Sequence, residues 1–204
     1  DIVGVLTLNA DGTDSLVVVS REGDTVFTSV AATSAKAGGP VGSLLVELDD
    51  FNIIISGSDG DDNPNEVGSG HAGDDLVNTS NKGWAVKGDQ GQTNQEGESI
   101  LFSFVRDDTP YAVNDFKFTT EGHTRGITDA DITVKVFTSA DLTAWDEISL
   151  NVTSGQVVQI SEYTSADVIY GVEVISAESE GWFRVNGIEV GDNEYVPPDG
   201  RSRC

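Results

Sequence analysis

Short runs of large apolar and β-branched residues recur along most of the chain, alternating with polar ones and separated by Gly, Asp and Asn. This is the pattern of strands joined by turns. Residues 4–8, 16–20 and 25–30 read as three strands, with turns at 9–12 and 22–24, and 31–42 as a loop of small residues. Residues 43–56 read as one long strand, bent at Asp49-Asp50. Further strands are expected over 99–105, 115–119, 132–137, 142–150, 156–160 and 168–175. In 132–137, Ile132, Val134 and Val136 share one face and Lys135 takes the other. The mostly apolar run 168–175 suits a central strand. The last run, 181–191, changes parity: Phe183 and Val185 share one face, Ile188 and Val190 the other. Asn186-Gly187 lies between them, where a β-bulge would reset the face. No window carries a helical period. About ten to twelve short strands predict an all-β fold, an antiparallel β-sandwich, jelly-roll-like.

One stretch breaks the alternation. Residues 57–98, about forty in all, have almost no apolar periodicity. Between Asp59 and Glu98 there are six Asp and three Glu against Lys82 and Lys87, a net −7 (−9 + 2). So long a structureless connection inside a compact domain is functional or disordered. Strand-like sequence on both sides argues that this one is held in the fold. A hard cation is then the expected neutraliser of its carboxylates.

The rest of the composition narrows the function. The length, 204 residues, fits a single domain, taken as 1–195, with 196–204 as a linker or tail. The formal net charge of −24 excludes nucleic acid as a partner, because phosphates would be repelled. No run of about eighteen apolar residues is present to span a membrane. The only Cys is Cys204, so no internal disulfide can staple the domain, and metal is the usual alternative. A start at Asp1 and the lack of any Met suggest a piece of a longer polypeptide.

Two runs in the acidic stretch carry metal-ligating chemistry. In the first, Asp59, Asp61, Asp62, Asn63 and Glu66 place oxygen ligands at close, partly alternate positions, as calcium loops do. It is not an EF-hand, since Pro64 and Gly70 stand where Gly and Glu are required. A solvated acidic turn is the plainer alternative. The second run, 68–77, resembles one copy of the calcium-binding glycine-aspartate nonapeptide of RTX proteins, and its Asp74 and Asp75 are the expected ligands. One copy cannot build a β-roll. Asp89 joins these candidates, and several calcium ions are expected.

Residues 78–92 set Asn78, Ser80, Asn81, Lys82, Gly83, Trp84, Lys87, Gln90 and Gln92 on a glycine-loosened segment, the adaptable composition of a recognition surface. Trp84 could equally plug the sandwich edge. Asp129 and Asp131 precede a strand and fit a turn or cap better than a second metal site. His71 and His123 stand in unrelated loops with no Ser or Cys constellation, too few nitrogen and sulfur ligands for zinc, and no pair of carboxylates is marked out as catalytic. No enzymatic activity is expected.

The run from Asn78 to Val105 (N-T-S-N-K-G-W-A-V-K-G-D-Q-G-Q-T-N-Q-E-G-E-S-I-L-F-S-F-V) resembles the central signature of ligand-binding sandwich domains in giant RTX adhesins exported by type I secretion. Gly83, Val86, Gly97, Glu98 and the strand 100–105 carry the match, while Ala85 stands where a second Gly is common. The peptide-binding domains of these adhesins are the closest group. The resemblance implies a calcium-dependent module, monomeric within a longer extracellular chain on the bacterial surface. It implies capture of short extended peptides at a free C-terminal carboxylate on host or neighbouring cells, serving adhesion and biofilm formation. A carbohydrate-binding sandwich, stacking Trp84 or Trp182 on a sugar, is the alternative. A purely structural extender is a third reading, with little use for such a connection.

Overall fold

A computed structural model describes residues 2–8, 14–30, 36–37, 43–58, 76–78, 84–86, 97–122, 129–177 and 183–193. They form two antiparallel sheets packed as a sandwich. The strands are β1 (Ile2–Leu8), β2 (Asp14–Glu22), β3 (Thr25–Val30), β4 (Lys36–Ala37), β5 (Ser43–Glu47), β6 (Asn52–Ser58), β7 (Leu76–Asn78) and β8 (Trp84–Val86). After them come β9 (Ser99–Arg106), β10 (Thr109–Pro110), β11 (Asp115–Gly122), β12 (Asp129–Phe137), β13 (Trp145–Thr153), β14 (Val157–Gln159), β15 (Gly171–Ser176) and β16 (Phe183–Asp192). A single 3-10 turn, Ile160–Glu162, is the helical element among the described residues.

The first sheet runs β1-β2-β3-β16-β11-β14, with β8 also on β16 and β7 on β8. The second runs β13-β12-β15-β9-β6-β5-β4, with β10 on β9. From β9 onward, β11, β14 and β16 go to the first sheet, and β12, β13 and β15 to the second. Strand alternation then fills the space between them. Phe116 and Phe118 of β11 point inward, and Phe116 meets Phe102 and Phe104 of β9, with Phe102–Phe116 centroids 5.5 Å apart and Phe104–Phe116 6.1 Å. Ile53, Ile55, Ile132, Val134, Val172 and Val174 complete the buried layer from the second sheet.

The bulge in the last strand is present. β16 pairs with β11 as Thr119 opposite Gly187 and then Thr120 opposite Val185, which leaves Asn186 as the extra residue. Val185, Ile188 and Val190 are consequently all buried in the same core despite their opposite parities.

Three expectations need correction. Residues 43–56 are not one bent strand but a hairpin, β5 against β6, with Glu47 opposite Asn52. The turn is held by the Leu48 N–H donating to the Phe51 carbonyl (3.1 Å) and by Arg106 Nε donating to the Asp50 carbonyl (2.6 Å). Residues 142–144 do not belong to a strand: Leu142 has φ +56°, and the Thr143 hydroxyl donates to Asp141 (2.7 Å), so β13 starts only at Trp145. Asp129 and Asp131 lie within β12 rather than ahead of it.

Candidate functional site

The acidic stretch is the connection of a hairpin. β6 and β9 pair directly, with Gly57 opposite Ile100 and Ser58 opposite Ser99, so the chain leaves the second sheet at Ser58 and re-enters it alongside. Between those points, β7 and β8 pair with each other, and Trp84 of β8 pairs with Val185 of β16 in the first sheet. The connection therefore passes from one sheet to the other and back.

Its base joins three buried polar residues, Glu98, Ser99 and Ser176, to exposed hydrogen-bonding groups around them. Gly97 has φ +85°, a conformation that favours glycine. That turn lets the Gly97 N–H donate to the Ser176 carbonyl (2.8 Å) while the Ser176 N–H donates back to the Glu98 carbonyl (2.9 Å). Glu98, Ser99 and Ser176 are buried. The Ser99 hydroxyl donates to Glu173 (2.7 Å). Beside them the Ala177 N–H donates to the Asp131 carbonyl (2.9 Å), and the Asn151 amide donates to the Asp131 carboxylate (2.7 Å). Gly97 and Glu98, which carry part of the adhesin resemblance, are thus the corner that returns the connection to β9.

The expected calcium ligands Asp59, Asp61, Asp62, Asn63, Glu66, Asp74, Asp75 and Asp89 lie outside the described residues. So do Ser80, Asn81, Lys82, Gly83, Lys87, Gln90 and Gln92. Asn78 and Trp84 fall inside: their backbones face each other across the β7–β8 pair. Among the described residues, no three His, Cys, Asp or Glu side chains gather as a metal-binding group.

A second polar constellation, which the sequence reading missed, covers the outer face of the first sheet. Ser29, Glu189, Lys117 and Gln159 form one row across β3, β16, β11 and β14, and Phe27, Gly191 and Asp115 form the next. Lys117 is only 8% exposed. Its ammonium lies 4.1 Å from the centroid of the buried Phe27 ring and donates to Glu22. The Lys117 ammonium holds the Glu22 carboxyl below its ordinary value, against a smaller opposing effect of burial. Asp115 is saturated: it accepts from the Ser161 hydroxyl (2.6 Å), the Ser161 N–H (3.1 Å), the Gln159 amide (2.8 Å) and the Phe116 N–H (2.8 Å). These groups satisfy one another and act as a polar clasp over the sheet. The one clue in the sequence is D-F-K-F-T, where both parities of a strand are occupied by groups that need partners.

Next to the clasp is a groove of about 330 Å³, walled by Ser29, Lys117, Thr119, Val157 and Glu189 and opened by the missing side chain of Gly187. At the far end of the sandwich, the Tyr111 hydroxyl donates to the buried Asp192 (2.5 Å), and the Arg106 guanidinium lies 4.1 Å over the Tyr111 ring. Comparison with protein-family models, curated proteins and solved structures found no match to this chain.

Proposed function

We propose that the chain is a calcium-dependent adhesin module that captures short extended peptides at a free C-terminal carboxylate, on host or neighbouring cell surfaces, for adhesion and biofilm formation. The observation that carries this reading is the closure of the acidic connection by the β6–β9 ladder. A segment with a net charge of −7 is anchored at both ends rather than left as a tail. The strand order supports the jelly-roll form of the sandwich, because β3-β16-β11-β14 faces β9-β15-β12-β13 and the chain crosses between the two sheets repeatedly after β10, with β12–β13 as a hairpin within the second.

The donor set fits calcium. Asp, Glu and Asn oxygens are hard ligands, and Asp59, Asp61, Asp62, Asn63, Glu66, Asp74, Asp75 and Asp89 would hold the ions. Bound calcium supplies positive charge on an acidic surface, and so makes a site for an anionic ligand group. Lys82 and Lys87 add to it. Gly83, Gly88 and Gly91 let backbone N–H groups approach an extended chain, and Trp84, Asn81, Gln90 and Gln92 supply contact area and hydrogen bonds. Few contacts and a flexible ligand give an affinity of order micromolar, about −8 kcal/mol.

The test compares one peptide bearing a free C-terminus with its amidated form, each with calcium and with chelator, alongside a glycan panel. The expected result is binding of the free acid alone, abolished by chelator. Equal binding of acid and amide in calcium would end the carboxylate mechanism, and glycan binding without peptide binding would establish the carbohydrate reading.

A further inference from the structure

We propose that the outer edge of β13, from Trp145 to Asn151, is a docking site for an extended cationic segment of a partner polypeptide, which joins the second sheet as an added strand. Among the described residues, β13 ends its sheet and pairs on one side only, with β12. The pairing runs without a bulge from Phe137–Trp145 to Asp129–Thr153, and the strand contains no proline. It therefore lacks two of the devices that usually blunt a sheet edge.

The hydrogen-bond phase identifies the outward groups. The Thr138 N–H donates to the Ala144 carbonyl (2.9 Å), so this pair bonds across the ladder, and alternate pairs along β13 do the same. Trp145, Glu147, Ser149, Asn151 and Thr153 then turn their N–H and C=O groups away from β12. The Thr153 N–H agrees with this phase: it points away and is taken by the Gln156 side chain (3.0 Å). No backbone partner for the outward groups of Trp145, Glu147, Ser149 and Asn151 occurs among the described residues, and all four residues are exposed. The edge is held in place from within, because Ile148 and Leu150 pack against the core.

Charge selects the occupant. Across β12, β13 and β15 the ionised side chains are Asp129, Asp131, Asp146, Glu147 and Glu173, against Lys135 alone. Lys135 is occupied over the Trp145 ring, 4.6 Å from its centroid. A second copy of this chain would bring the same acidic edge and its own −24 charge, so self-pairing is disfavoured. A strand with Lys or Arg at alternate positions sets one cation beside Glu147 and the next beside the ring of Trp145, which lies on the same face and is 44% exposed. This site does not use the acidic connection, so it is independent of the calcium reading.

The probe is a short peptide of alternating lysine and valine, capped at both ends so that no carboxylate is available, with the whole chain in calcium buffer. Saturation is expected to slow amide exchange at Glu147, Ser149 and Asn151 about tenfold or more. Ser149→Pro removes an outward N–H without touching the β12 ladder, and is expected to weaken binding about tenfold. Glu147→Lys leaves the backbone intact and is expected to shift preference to the matching glutamate–valine peptide. The proposal is overturned if the bound peptide leaves those amides unprotected, or if both variants bind as the parent does. It is equally overturned if the amides are already protected in the free protein by a concentration-dependent dimer.

Discussion

Gly191 lies directly beneath Phe27. A Cβ at Gly191 would come within 2.8 Å of the Phe27 ring at Cε1 and within 2.8 Å of Thr25 Cγ2. The two residues are paired across β16 and β3, on the outer face of the first sheet, and Lys117 closes over the ring from β11. The missing side chain is what allows a phenylalanine to lie flat on the outside of a sheet and still be buried. Gly191→Ala is therefore expected to lift the ring and destabilise the fold by about 1–3 kcal/mol, the usual cost of overpacking. Urea unfolding measures this, and a change within error would mean that Phe27 and Thr25 move aside freely.

The Glu22–Lys117 pair gives a pH signature. The carboxyl is held below its ordinary value of 4.5 in the folded state, so its contribution is complete above that value and fades as pH falls through the folded one. Glu22→Gln is expected to lower the melting temperature at neutral pH, and the two melting curves are expected to converge as pH falls below 4.5 and through the lower value of the folded carboxyl. Glu22 is about half exposed, which keeps the effect small. A gap that persists unchanged into acid would assign the loss to packing instead of charge.

At the base of the acidic connection, Gly97→Ala is expected to cost about 1–3 kcal/mol, since a side chain is forced to a positive φ. The same variant is expected to weaken the proposed ligand, because the corner positions the return to β9. Unchanged stability with unchanged binding would show that the corner relaxes.

Calcium is expected to raise the melting temperature. Binding confined to the native state stabilises by about 4 kcal/mol at a thousandfold excess over Kd. Magnesium is expected to substitute poorly, as it demands a small octahedral shell. Overlapping melts with and without chelator would sink the calcium proposal. Replacing both Asp74 and Asp75 by Ala is expected to lower calcium and peptide affinity together, read by calorimetric titration.

Strands were legible wherever one face is apolar and the other polar. The 25–30 run coincides with β3, and the parity switch at Asn186-Gly187 disclosed the bulge, because a register change leaves its mark in hydrophobic spacing. The β5–β6 turn was hidden because Leu48 and Phe51 keep large apolar residues running through Asp49-Asp50, with no Gly or Pro to mark a break. The β7 and β8 strands were missed since three residues are too few to show a period. The outer-face clasp was invisible for another reason: Lys117, Glu22, Asp115 and Gln159 come from three different strands, and only folding brings them together. Of the expected site, the placement of the connection between strands could be read, while which residues meet depends on contacts that spacing does not encode.

The ladder between β6 and β9 separates the sandwich from the stretch proposed to recognise the ligand. Closing a loop depends only weakly on its length, with about 0.6 kcal/mol added for each doubling. The stem from Asn52 to Ser58 and from Ser99 to Val105 would therefore tolerate inserts of very different size and content. Selection could rewrite the insert for a new target while leaving the sandwich untouched, much as a tool holder accepts different bits. Kinship of the scaffold should then be sought in its strands, and kinship of the proposed ligand in the stretch between Ser58 and Gly97.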